Sequence, residues 1–270
     1  MDRGVLFISG ATGDAGHWSR VAPLLADEFT VVTYDRRGNS RSPRPVGWTT
    51  TSIDEQADDA AGLIQALSIA PATVFGNSDG AIILLGLISR HPDLLRGEIV
   101  HEPPLTGILP YGQEVTQTLQ STVEQAMTKG GPRAAMELFL RWVAGDATFE
   151  HTDPELREGL LGNAEVCFGL ELQPFASYVP DPQKLATTNI PIVVAAGAEN
   201  RSRGLVEGRY LYDASAWLAK RLGTELIEFP GAHVPYMDRP QEFVDVVRPL
   251  LRKLHETHQH RLASAERLPG

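Results

Sequence analysis

The chain has 270 residues, enough to bury one sizeable core and near the upper end of what a single α/β domain holds. Its formal net charge of −10 opposes a phosphate-backbone or anionic-lipid partner, so neither nucleic acid nor a membrane is expected. Cys167 is the only cysteine, which excludes an intrachain disulfide, a CxxC motif and a cysteine-built zinc site, and fits a reducing cytoplasm.

In chain order, Val5 to Ile8 is a short apolar run, too brief for a signal-peptide core or a membrane span. It ends in "S-G-A-T-G-D-A-G", and "H-W-S-R-V-A-P-L-L-A" then spaces its apolar residues as a helix does. The next unit, "F-T-V-V-T-Y-D-R-R-G-N-S-R-S", predicts a strand closed by turn chemistry, followed by a helix over Ser52 to Leu67. A third strand covers Thr73 to Gly76, and "A-I-I-L-L-G-L-I-S-R" is apolar nearly all round, as a helix packed on a sheet is. "E-I-V-H-E-P-P" predicts a fourth strand. Strands alternating with helices imply an α/β class with a mostly parallel, twisted sheet covered on both faces.

From Leu105 to Ala186 the strand signal vanishes, and "V-T-Q-T-L-Q-S-T-V-E-Q-A-M" and "P-R-A-A-M-E-L-F-L-R-W-V-A" carry helical periodicity. Residues 105–186 therefore form a helical insertion in a core made of residues 1–104 and 187–258. The alternation resumes with "I-P-I-V-V-A-A-G-A-E-N", a helix closed by Gly223, the strand "T-E-L-I-E-F-P-G-A-H" and a last helix over Gln241 to His255. Residues 259–270 lack an apolar face and are expected to be a poorly ordered tail.

One stretch carries chemistry. "V-F-G-N-S-D-G" sets Ser78 between Gly76 and Gly80 where a strand turns into a buried helix, and ligands of an open parallel sheet bind at such carboxyl ends. A sharp strand-to-helix turn strains the nucleophile's backbone and leaves no room for side chains two residues to either side, which the glycines supply. The plainer alternative is a serine that caps the following helix. A serine hydroxyl needs a base. His233, in "F-P-G-A-H-V-P-Y-M-D", follows the last strand and so reaches the same edge; His101, which also ends a strand, is a partial rival.

These features together resemble the α/β-hydrolase superfamily, and "Y-D-R-R-G-N-S-R-S" is similar to its D-x-R-G-x-G-x-S loop, with Asn39 and Arg41 shifting the pattern slightly. The resemblance runs from Val5 to about His255 but lacks the usual N-terminal antiparallel hairpin. It implies a Ser-His-acid triad, with no metal or organic cofactor. In most of the superfamily the acid follows the strand after the insertion, in a G-x-x-D context; here that segment reads "G-A-E-N" and the matching residue is Asn200, an amide. Two acids remain: Glu199, and Glu102 in "H-E-P-P". The latter context, with "P-G-A-H-V-P-Y", is similar to zearalenone-type lactone hydrolases, whose triad glutamate lies in a matching H-E-x-P setting. Glu102 is therefore the expected acid and Glu199 the alternative, while a turn-capping role for Glu102 is the bland reading.

The resemblance further implies an oxyanion hole from the N–H of Asp79 and one from the loop "S-G-A-T-G", at Gly10 or Ala11. The insertion would act as a lid, with Phe139, Trp142, Phe168, Phe175, Tyr178 and, beside the histidine, Val234 as candidate substrate contacts. The expected function is cleavage of a hydrophobic small-molecule ester or lactone, by a monomer or homodimer. A carbon–carbon hydrolase or lyase on the same fold, and a slow-turnover ligand sensor, are the rival readings. Epoxide hydrolases and dehalogenases need a carboxylate where Ser78 stands.

Overall fold

The computed structural model describes residues 3–265, with side chains through residue 259. Among them, strands β1 (Gly4–Ile8), β2 (Thr30–Thr33), β3 (Ala72–Asn77), β4 (Leu95–His101), β5 (Ile192–Gly197) and β6 (Leu226–Phe229) form one sheet in the order β2-β1-β3-β4-β5-β6. Every pairing is parallel. The central strands β1, β3 and β4 are buried along their whole length, which is why they read as continuous apolar runs rather than alternating ones.

The helices follow in chain order. Before the insertion come α1 (Ala22–Leu25), α2 (Ile53–Ala66) and α3 (Asp79–Arg90). Between β4 and β5 lie α4 (Gly112–Ala144), α5 (Asp146–His151), α6 (Pro154–Gly162), α7 (Ala164–Val166), α8 (Leu172–Ala176) and α9 (Pro182–Thr187). After β5 come α10 (Tyr210–Leu222), α11 (Pro235–Asp238) and α12 (Pro240–Ala265). Local chemistry explains the boundaries. The Ser52 hydroxyl accepts from the Glu55 N–H at 3.1 Å to open α2, and Gly223, at φ 66°, closes α10. Gly131, at φ 75° and followed by Pro132, breaks α4 into two helical runs.

Side chains alternate across the sheet, so β1 divides its residues between two cores. Leu6 and Ile8 join Val74, Val100 and Val194 under α2, α3 and α10. Val5 and Phe7 join Phe75 and Ile99 under Trp18 and the α12 residues Phe243, Val247 and Leu251. The insertion has a smaller core of its own around Met136, Leu140, Phe149, Leu160 and Cys167.

The final helix differs from the sequence expectation. It extends past His255 to Ala265, so helical backbone covers the first part of the segment read as a poorly ordered tail. No proline or glycine interrupts the chain between Gln259 and Ala265, and nothing there stops a helix already nucleated upstream. Residues 266–270 lie outside the described residues. No helix among the described residues is long and apolar enough to cross a membrane.

Candidate active site

β3 ends at Asn77 and α3 begins at Asp79, so one residue turns the chain. Ser78 makes that turn at φ 56°, ψ −126°, a conformation that costs a non-glycine residue about 1–3 kcal/mol. Its N–H is held by the His101 carbonyl of the neighbouring strand at 3.0 Å. A Cβ on Gly76 would lie 2.4 Å from the Gly80 carbonyl oxygen, and one on Gly80 would lie 2.2 Å from that of Ile8. Both flanking glycines are thus demanded by backbone approach. The Ser78 hydroxyl accepts no cap hydrogen bond from the first turn of α3, which removes the capping alternative.

Glu102 follows β4 at φ 48°, a second strained residue at the same edge. It is fully buried, and its Oε2 accepts from His233 Nδ1 at 2.7 Å. The other contacts come from the end of β5 and the loop after it: the Gly197 N–H donates to Oε1 at 2.9 Å, and the Asn200 amide donates to both oxygens at 2.8 and 2.9 Å. Burial pushes the Glu102 carboxyl upward, but the His233 hydrogen bond, the neighbouring imidazoles and the Asn200 amide together outweigh it and hold the group below the usual range. Glu199 points elsewhere: half-exposed, it pairs with Arg239 at 2.6 Å and does not meet His233. His101 is buried, with Nδ1 2.6 Å from Asn77 Oδ1, and burial lowers it to about 4. It lines none of the cavities around Ser78.

Ser78, His233, Ala11, Phe139 and Val143 line both of two adjoining cavities, of about 80 and 40 Å³. The nucleophile candidate therefore sits where two lobes meet. The larger lobe carries Phe168, Phe175, Leu172 and Tyr210, and the smaller one Leu140, Phe149, Leu160 and Val234. Trp142 lines a separate small recess that reaches His233. Tyr178 lines none of these spaces; it follows the end of α8 and packs, half-buried, against the large core cluster that includes α3. Gly10 lies against Ser78, where an added Cβ would stand 2.7 Å from Ser78 Cβ. The Asp79 N–H opens α3 and has no carbonyl in its own helix to bind.

Five further residues meet here that the sequence left without a role. The Asn77 amide donates to Tyr236 Oη at 2.9 Å, tying β3 to α11. Asn200 cradles Glu102. Arg36 and Glu171 form a buried ion pair between the loop after β2 and the insertion, at 2.5 and 2.9 Å. The one sequence signal for Glu171 is a lone acid in the apolar run "V-C-F-G-L-E-L", and Arg36 occupies a variable position of the D-x-R-G-like loop. Asp79 offers a carboxyl as well as an N–H: it lines the larger lobe, where burial pushes it up to about 6 although Arg36 and His233 pull it down. Among the described residues no group of three or more histidine, cysteine, aspartate or glutamate side chains is placed to hold a metal ion.

A parallel sheet with a strained serine elbow and a helical insertion after β4 defines the α/β-hydrolase fold. Residues 5–246 match the alpha/beta hydrolase family, and the chain belongs to it. It is 35% identical to the uncharacterized hydrolase YraK of Bacillus subtilis over 92% of this chain and 89% of that protein. It is 25% identical to 3-oxoadipate enol-lactonase 2 of Acinetobacter baylyi over 94% of this chain and 91% of that one. A thermophilic esterase from Thermogutta terrifontis superposes with a TM-score of 0.72 at 23% identity, covering 94% and 93% of the two chains, a likeness of fold.

Proposed function

We propose that the protein is a serine hydrolase that cleaves a carboxylic ester or lactone of a hydrophobic small molecule, with Ser78 as nucleophile, His233 as base and Glu102 as acid. The observation that carries this reading is the buried Glu102 carboxylate on His233 Nδ1, with the imidazole and Ser78 facing the same cavities. The esterase and enol-lactonase relatives support it.

Ser78 Oγ attacks the carbonyl carbon while its proton passes to His233 Nε2, and Glu102 stabilises the imidazolium that forms. The carbonyl oxygen becomes an oxyanion facing the N–H of Asp79 and that of Gly10 or Ala11. Collapse of the tetrahedral adduct expels the alkoxide, which takes the proton from His233; a lactone's leaving hydroxyl stays attached to the acyl chain. Water, deprotonated by His233, then releases the acid and regenerates Ser78. Residues 105–186 serve as the lid, and Phe139, Phe168, Phe175 and Val234 supply apolar walls for groups on either side of the ester. No cofactor enters the sequence of steps.

The test compares Ser78→Ala, Glu102→Gln and Glu199→Gln on an aryl ester and on a macrolactone such as zearalenone, with folding checked by circular dichroism. Ser78→Ala should abolish turnover, and Glu102→Gln should lower kcat by roughly 10³- to 10⁴-fold, as loss of a triad acid does. Glu199→Gln should be near neutral. Full activity in Ser78→Ala, or a collapse confined to Glu199→Gln, would overturn the assignment.

A further inference from the structure

The Arg36–Glu171 pair has a third partner that links it to the chemistry. Both side chains are completely buried. Arg36 Nη2 donates to Glu171 Oε2 at 2.9 Å and also to the Gly10 carbonyl oxygen at 2.8 Å. Nη1 donates to Glu171 Oε1 and, at 3.3 Å, to Gln56 Oε1; the Gln56 amide in turn donates to Glu171 Oε1 at 3.1 Å. The guanidinium sits 5.7 Å from the Phe175 ring centroid. Arg36 also grips the same loop by its backbone, whose N–H donates to the Gly13 carbonyl at 2.7 Å.

The Gly10 carbonyl therefore points at Arg36, and the Gly13 N–H donates to it as well, at 3.1 Å. In a trans peptide the N–H lies opposite the C=O, so fixing that oxygen aims the Ala11 N–H the other way. Ala11 lines both lobes beside Ser78, and its N–H meets no backbone acceptor among the loop hydrogen bonds of the described residues. Glu171 ends a π-helical turn, Cys167–Glu171, an irregularity frequent at functional sites. A buried arginine held by one carboxylate is sensitive to that carboxylate, because its charge has no solvent to fall back on.

We infer that Glu171 and Arg36 are positioning residues for hydrolysis: the insertion, through this pair, sets the orientation of the Gly10–Ala11 peptide and so assigns the Ala11 N–H as the second oxyanion donor. The inference rests on the proposed serine-hydrolase reading. It makes the insertion part of the catalytic apparatus as well as a cover, since its own glutamate determines whether the donor faces the developing charge.

The test uses the full chain with Glu171→Gln, and with the double variant Arg36→Met/Glu171→Leu, whose apolar pair keeps the buried volume filled if the lone arginine proves too disruptive. Melting curves establish folding. Two readouts follow: kcat and KM on a p-nitrophenyl ester, and the rate at which a fluorophosphonate labels Ser78. The expected result is a fall in kcat of about 10- to 100-fold, short of outright donor loss, with KM changed little and labelling slowed by a similar factor. Folded variants that label and turn over at the wild-type rate, or that change KM alone, overturn the inference. Wild-type protein that neither labels nor hydrolyses the ester overturns instead the serine-hydrolase reading on which it stands.

Discussion

Asp79 presents two different groups at the start of α3. Its N–H has no carbonyl partner within the helix it opens, and that much follows from "N-S-D-G". Its carboxyl lines the apolar lobe, which no sequence pattern indicated. Because burial raises this group to about 6 in the folded chain, the stability it contributes is complete below its unfolded value of 3.8 and is lost as pH rises through 6. Asp79→Asn should thus be more stable than wild type at pH 8, by no more than about 3 kcal/mol, and the difference should vanish below pH 4. Urea unfolding at the two pH values measures it. Ser78 and His233 were readable because each sits in a motif whose reason is local, a tight turn or a loop after a strand. Glu102 needed the H-E-P-P resemblance, while Asn200, Arg36 and Glu171 act across long sequence separations, which a single sequence does not report.

At the scale of elements, the strands and their helices were legible because burial on both faces leaves continuous apolar runs, and Gly223 and Ser52 punctuate the helices around them. The end of α12 was not, since a polar segment without breakers reads equally as tail or as exposed helix. Tyr178 was misplaced for a related reason: helical spacing shows that an aromatic is buried, and only the packing shows against what. The β3–α3 turn tolerates little change. Gly80→Ala brings a Cβ within 2.2 Å of the Ile8 oxygen on β1, backbone against backbone, so neither side can yield by rotating a side chain. It should cost about 3 kcal/mol, the upper range for overpacking, and lower the melting temperature even with substrate analogues absent. An unchanged melt would mean that α3 can withdraw from β1.

For the molecule as a whole, the sheet brings together residues from opposite ends of the chain: Gly10, Ser78 and Glu102 come before the insertion, and Asn200 and His233 after it. The loops after β4 and β5 converge on one seat beside the imidazole, where Asn200 binds both oxygens of Glu102. The wider family usually places its acid where Asn200 stands, whereas here the buried carboxylate comes from the end of β4 and the residue after β5 is an amide that binds it. Such an arrangement is open to reversal. Glu102→Gln/Asn200→Asp should recover about tenfold or more of the turnover lost in Glu102→Gln alone, the coupling expected of groups in contact. No recovery would mean that the seat accepts a carboxylate from β4 only. On the proposed triad, then, the acid is defined by its seat beside the imidazole, a place that side chains from the ends of two neighbouring strands both reach.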